Sequence, residues 1–138
     1  MDKAIVQFIN KHYLLTLATS KDNLVYCCNV YYVFNQENNS LIFSSDTKTK
    51  HAQDFIANPN VAGTIALETK EISKIQGVQL LGKIKELKDN QLKIAKEQYV
   101  KAYPYARIME THLWEMELTF AKMTHNRLGF GKKLIWES

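Results

Sequence analysis

Residues 13–34 read Tyr13-Leu-Leu-Thr-Leu-Ala-Thr-Ser-Lys-Asp-Asn-Leu-Val-Tyr-Cys-Cys-Asn-Val-Tyr-Tyr-Val-Phe34. Two runs in this stretch, Tyr13–Thr19 and Leu24–Phe34, are dominated by β-branched, aliphatic and aromatic residues that fit a pleated surface. The polar Ser20-Lys21-Asp22-Asn23 between them reads as a hairpin turn. A second polar turn, Asn35–Ser40, leads into a third short run, Leu41–Ser45. Parallel strands need crossover connections of a dozen or more residues, so three runs joined by turns this short predict an antiparallel meander.

Working outward, Ile5, Phe8 and Ile9 fall at helical spacing, and Asp2 is placed to cap them, which predicts an opening helix over Asp2–His12 that plugs one end of the sheet. Downstream, Asp46 and Thr47 are the N-cap candidates for a helix of about three turns, striped by Ala52, Phe55 and Ile56 and stopped by Asn58-Pro59. Strand character resumes over Val61–Leu67 and Ile75–Leu87, with the charged Glu68–Lys74 connection between. Asp89 opens a third helix through Leu92, Ala95, Tyr99 and Ala102, ended by Pro104, with its lysines on the outer side. The last runs, Leu113–Met123 and Leu128–Trp136, flank a His125-Asn126-Arg127 turn. Six or seven strands broken by three helices lack the regular alternation of a parallel βαβ sheet. The predicted class is therefore mainly β (α+β): an antiparallel barrel with peripheral helices. Gly63, Gly77 and Gly82 sit at strand positions suited to bends or close backbone approach.

The chain has 138 residues, 46% of them hydrophobic and 23% charged, which suits one folded domain spanning 1–138 and excludes a disordered chain. No apolar run approaches the roughly 20 residues of a membrane span. Met1–Lys11 lacks the basic, apolar and small-residue zones of a signal peptide, so a cytoplasmic location is expected. Cys27 and Cys28 are strand neighbours pointing to opposite faces, and are expected to be buried reduced thiols rather than a disulfide or a metal site. The formal charge of +4 is compatible with a phosphate ligand. The Lys83–Lys101 lysine face lacks the interleaved aromatics of single-strand binders, so no nucleic-acid partner is expected.

The chemistry concentrates in Phe43-Ser-Ser-Asp-Thr-Lys-Thr-Lys-His51, where a strand ends and a helix opens. A helix start offers unpaired N–H groups and the positive end of a dipole, to which Thr47, Thr49, Lys48, Lys50 and His51 add hydroxyls and cations suited to phosphate. By residue type alone the stretch reads first as a capped helix with surface lysines. No nucleophile-elbow serine, HExxH or Walker motif is present, and no catalytic residue is assigned.

The strand, the Thr49-Lys50-His51 helix opening and the following Asn58-Pro59-Asn60-Val61 resemble the FMN-phosphate segment of pyridoxamine-phosphate-oxidase-like split barrels. The resemblance covers nearly the whole chain. The ending Leu128-Gly-Phe-Gly-Lys-Lys-Leu-Ile-Trp136, with Lys50-His-Ala-Gln53, is most similar to the YhbP-like branch. The implied fold is a six- to seven-stranded antiparallel split barrel, and the implied cofactor is FMN. Thr49 and Lys50 match the hydroxyl and basic positions for the phosphate, with Ser44, Ser45 and Thr47 lining the approach. His51 stands where the family often has lysine. The second strand would run beside the flavin ring and place Asn29, Val30 and Tyr31 there, largely through backbone contacts. Where a flavin-contacting glutamine is common this chain carries Gly77, with Gln76 or Gln79 as substitutes. Lys132, Trp136 and Trp114 lie in segments that cross toward the partner in such homodimers, either closing the pocket or packing.

The resemblance implies an oxidoreductase in which FMN, held between two subunits, accepts and donates a hydride or electrons from a donor such as NAD(P)H. The arginine and histidine set of authentic pyridoxamine-phosphate oxidases is not recognisable near the C-terminus, where only Arg127 and His125 stand, so that specific activity is not expected. Two other readings stay open: a flavin- or phosphate-ligand-binding protein without turnover, and a haem-binding split barrel using His12, His51, His112 or His125.

Overall fold

The computed structural model describes residues 1–108 and 112–138. Its described elements run α1 (Lys3–Lys11), β1 (Leu14–Lys21), β2 (Leu24–Asn35), β3 (Ser40–Ser44), α2 (Lys50–Ala57), β4 (Asn60–Ala66), β5 (Gln76–Glu86), α3 (Asp89–Ala102), β6 (Leu113–His125) and β7 (Lys133–Glu137). Short 3-10 turns occupy Ile72–Lys74, Pro104–Ile108 and Asn126–Leu128. All pairings are antiparallel, in the order β3-β2-β1-β4-β5-β6-β7, and β3 also pairs with β6. Six strands thereby close into a ring with β7 outside it.

The ring opens where β6 changes partner. One edge of β6 follows β5 from Trp114 to His125, while its other edge serves β3 over Leu113–Glu117 and then β7 over Phe120–Thr124. The change coincides with a register shift at Leu81/Gly82, where Leu81 faces Phe120 and Gly82 faces Leu118. A bulge of this kind adds local bend and twist. Gly82 is required there, since a Cβ would lie 2.5 Å from the Glu117 carbonyl oxygen.

Alternating strand positions fill the ring, among them Leu15, Leu17, Val30, Phe43, Ile65, Leu80 and Met116. Helix α1 drops Ile5, Phe8 and Ile9 into this core, and α2 drops Ala52 and Phe55. A separate cluster of Ile42, Leu87, Ala95, Tyr99, Ala106 and Leu113 lies under α3.

Several sequence expectations need correction. The N-cap of α2 is Thr49, not Asp46 or Thr47, and the helix is eight residues long, about two turns rather than three. Asp46 spends its carboxylate on the Lys48 amide and its carbonyl on the Thr49 hydroxyl, which leaves the cap to Thr49. The last strand begins at Lys133, not Leu128, because Gly129 and Gly131 adopt φ of 144° and 73° in a loop tied by Asn126. Cys27 is exposed and Cys28 half-buried. Strand β3 pairs only with Tyr32–Asn35 of β2, so the earlier half of β2 keeps one edge unpaired by strand and the two thiols are not enclosed. The first hairpin turns on Asp22 and Asn23, both at positive φ, as a two-residue type I′ loop requires.

Candidate functional site

A groove of about 310 Å³ runs between the middle of β2, the end of β3, the start of α2 and the chain after α3. Asn29, Val30 and Tyr31 form its β2 side, Ser44 and Ser45 its β3 end, and Thr49 and His51 the α2 opening. Tyr99, Tyr105 and Ala106 close the opposite side. Seven residues singled out from the sequence are thus brought together. The last three lacked a sequence signal other than the clustering of Tyr99, Tyr103 and Tyr105 around the end of a helix.

The α2 end is tightly organised. Thr49 donates its hydroxyl to the Asp46 carbonyl (2.7 Å) and accepts from the Ala52 amide (3.3 Å). The Gln53 amide donates to the Thr49 carbonyl. The amides of Lys50 and His51, which precede these, have no acceptor among the described residues. Such leading amides are the ordinary donors to an anion at a helix start. The His51 Nε2 lies 2.8 Å from Ser45 Oγ and 3.3 Å from Thr49 Oγ1. Burial holds the His51 pKa below the usual imidazole range, opposed by the nearby Asp54 carboxylate. Ser45 is itself fixed from behind: its amide donates to the His112 carbonyl and its carbonyl accepts from Trp114 Nε1 at 3.0 Å. Trp114 is therefore a buried support, its ring against Phe55 at 4.7 Å, and does not close the groove from outside.

Lys50 points elsewhere. Its Nζ donates to both carboxylate oxygens of Asp54 at 3.0 Å and sits 4.9 Å over the Tyr26 ring. Asp54 is 2% exposed and also accepts from Thr19 Oγ1 at 2.9 Å, and chiefly the Lys50 hydrogen bonds hold its carboxyl below the usual range. The tie fastens α2 to β1 and β2.

The opposite side is a tyrosine array. Tyr99 and Tyr103 donate their hydroxyls to the carbonyls of Tyr31 (3.2 Å) and Tyr32 (2.6 Å). Burial pushes the Tyr103 hydroxyl up to about 12 and raises that of Tyr99 as well. Both stay protonated and work as donors.

The remaining predicted positions are not in this groove. Thr47 lies in the turn before α2, where its carbonyl accepts from the Gln53 side chain. Gln79 lines a separate hollow of about 370 Å³ on the outer face of β1, β2, β4 and β5, with Thr16, Cys27 and Leu81. Lys132 is exposed in the loop before β7, and Trp136 is half-buried on β7, packed on the barrel core. Among the described residues no three His, Cys, Asp or Glu side chains cluster in a way that would hold a metal ion. No described helix is long and apolar enough to cross a membrane.

A closed antiparallel ring that splits at a bulged strand, with a hydroxyl- and imidazole-lined groove at a helix start, defines a split β-barrel of the pyridoxamine-phosphate-oxidase-like kind. The chain belongs to the pyridoxamine 5'-phosphate oxidase family, whose pattern matches residues 1–126. It is 35% identical over 133 residues to the UPF0306 protein of Photorhabdus laumondii, covering 96% of this chain and 93% of that one. With UPF0306 protein YhbP of Salmonella paratyphi B the identity is 36% over 133 residues, covering 96% and 90%. Among solved structures, a haem binding protein from Mycobacterium smegmatis superposes with a TM-score of 0.80 at 14% identity, over 99% of this chain and 59% of the other. An FAD binding protein from the same organism gives 0.73 at 16%, over 99% and 98%. These likenesses establish the shared fold.

Proposed function

We propose that this chain is an FMN-binding flavoprotein that acts as an oxidoreductase, with the flavin phosphate at the α2 opening and the ring along Asn29–Tyr31. The observation that carries the reading is the donor set at one end of the groove, the leading α2 amides, Ser45 and His51, held by the Thr49 cap in a fold shared with a solved structure described as an FAD binding protein. A phosphate monoester fits that set, because the leading amides, the Ser45 hydroxyl and a protonated His51 can each donate a hydrogen bond to an anion. The β2 backbone and the flanking tyrosines offer a flat, partly apolar wall for a fused ring. When bound, FMN supplies hydride or electron transfer, and the protein orients it and limits access.

The flavin is expected to be shared between two copies of the chain. The outer face that carries Gln79 exposes Leu81 at 49% and Val25 at 84% beside Thr16 and Cys27. An apolar face of this sort is a self-association surface. Lys132 and Trp136, which do not line the groove of their own chain, are expected to reach the flavin from a partner.

The visible absorption spectrum of the purified chain, with and without added FMN, tests the reading. Bands near about 370 and 450 nm that stay with a dimer through gel filtration, and bleach with NAD(P)H, are the expected result. Retained flavin that no reductant bleaches would leave a binding protein without turnover. A haem band in place of flavin would replace the reading with the haem one, in which His51 is the described histidine lining the groove.

A further inference from the structure

We propose that His51, not Lys50, is the cation of the anion site, and that it becomes charged by a proton taken up together with the ligand. The inference rests on the reading of the groove as a phosphate site and deepens it.

Hydrogen-bond accounting carries it. Lys50 is committed to Asp54 through two 3.0 Å bonds, and Asp54 is further held by Thr19. Moving Lys50 into the groove would leave a carboxylate that is 2% exposed without its cation, a costly exchange. The described imidazole at the groove's α2 end is that of His51. Thr49 has given its only hydroxyl proton to the Asp46 carbonyl, so toward His51 it can only accept. Nε2 therefore carries the proton of the neutral imidazole, facing Thr49 Oγ1 and donating to Ser45 Oγ at 2.8 Å, and Nδ1 is the nitrogen that takes up a second proton.

That neutral arrangement leaves the serine proton able to point at an anion but offers the groove no charge. Protonating Nδ1 supplies it. The imidazolium keeps its Nε2 donation to Ser45 Oγ, with Thr49 Oγ1 at 3.3 Å. One proton from solvent thus adds one positive charge beside the Ser45 hydroxyl and the leading amides of α2.

The titratable and charged groups around the site bear on the balance. Asp54 and Lys50 stand on α2 and largely neutralise each other, Asp46 and Lys48 lie in the preceding turn, and Tyr31, Tyr99 and Tyr105 face the groove from β2 and the α3 side. Burial disfavours the imidazolium while the groove is empty of anion, in agreement with the neutral arrangement.

The test uses the full chain with sulfate, which stays a dianion across the range and so does not titrate as a phosphate ester does. Sulfate affinity measured calorimetrically at pH 5.5–8.5 should weaken by up to about tenfold per pH unit above the His51 pKa, with net proton uptake seen by comparing buffers. His51→Gln should weaken binding and remove both the slope and the uptake. His51→Lys should restore affinity without the slope. Lys50→Met should leave the slope in place and, if folded by circular dichroism, the affinity within about threefold; Lys50→Arg serves where it is not. A flat pH profile in the natural chain, or loss of binding in a folded Lys50→Met variant, overturns the proposal. FMN binding with no proton uptake would overturn it while leaving the flavoprotein reading intact. Proton-linked sulfate binding without FMN binding would do the reverse, and binding of neither overturns both.

Discussion

The two sides of the groove are built differently. The α2 side stands on the barrel core: Phe55 is 2% exposed, edge-on to Phe43 at 5.9 Å and to Trp114 at 4.7 Å, and Asp54 ties the helix back to β1. The α3 side packs Ala95 and Tyr99 on Ile42 of β3 and Leu113 of β6 in a smaller cluster outside the barrel core, and adds two tyrosine hydroxyls on β2 carbonyls. Both helices have opened N-termini, yet α2 is capped by Thr49 while α3 has no side-chain cap on Lys88 and begins with Asp89 at a φ of 55°. A helix start is thus not a site by itself. What distinguishes α2 is that its cap, the strand end before it and the core beneath it fix hydroxyls and an imidazole within hydrogen-bond reach of each other.

If the α2 side is the rigid one, Phe55→Ala should be the most damaging change. It empties a ring-sized space in the core and is expected to cost about 3–5 kcal/mol in urea unfolding. A cost no larger than that of the tyrosine changes below would break the comparison. Gly82→Ala forces a methyl against the Glu117 carbonyl at the bulge that opens the ring, and should cost about 1–3 kcal/mol by the same measurement. Tyr103→Phe removes one hydroxyl from the Tyr32 carbonyl, with an expected loss of about 0.5–1.5 kcal/mol. Its sharper consequence is local: amide exchange should accelerate in α3 and not in α2.

The finest test concerns the tie beneath α2. The Asp54 carboxyl is held below its ordinary value of 3.8, chiefly by hydrogen bonds from Lys50. Its contribution is therefore complete above the unfolded pKa and is lost as pH falls through the lower folded one. Melting temperature followed below about pH 4 should drop less steeply in Asp54→Asn than in the natural chain. Parallel acid limbs would show that the Lys50–Asp54 bond does not respond to protonation of this carboxyl.

Much of this protein is legible in its residue order. Alternation along Leu14–Lys21 places Leu15, Leu17 and Thr19 inside and Leu14, Thr16 and Ala18 outside, because side chains on a strand alternate by geometry. The stop at Pro104 and the stripe of Ile5, Phe8 and Ile9 are equally local. The misread features are those in which one local signal competes with another. Asp46, Thr47 and Thr49 are all good caps by type, and the choice fell to Thr49 because Asp46 is consumed by the preceding turn. The thiols of Cys27 and Cys28 sit on a strand whose run of β-formers reads as buried, but burial depends on which strands cover it.

The sequence by itself determined the antiparallel strands, the three helices and the seven groove residues of β2, β3 and the α2 opening, since each follows from periodicity, caps and breakers within a few residues or from a family pattern carried in order along the chain. Tertiary structure alone decided the rest. Which of two adjacent basic side chains faces the groove depends on Thr19 and Asp54, residues 31 and 4 positions away from Lys50, meeting beneath α2. Tyr99 and Tyr105 join the site only because α3 packs beside β2. Side-chain partnership across such separations is set by how the elements pack, and no local pattern encodes it.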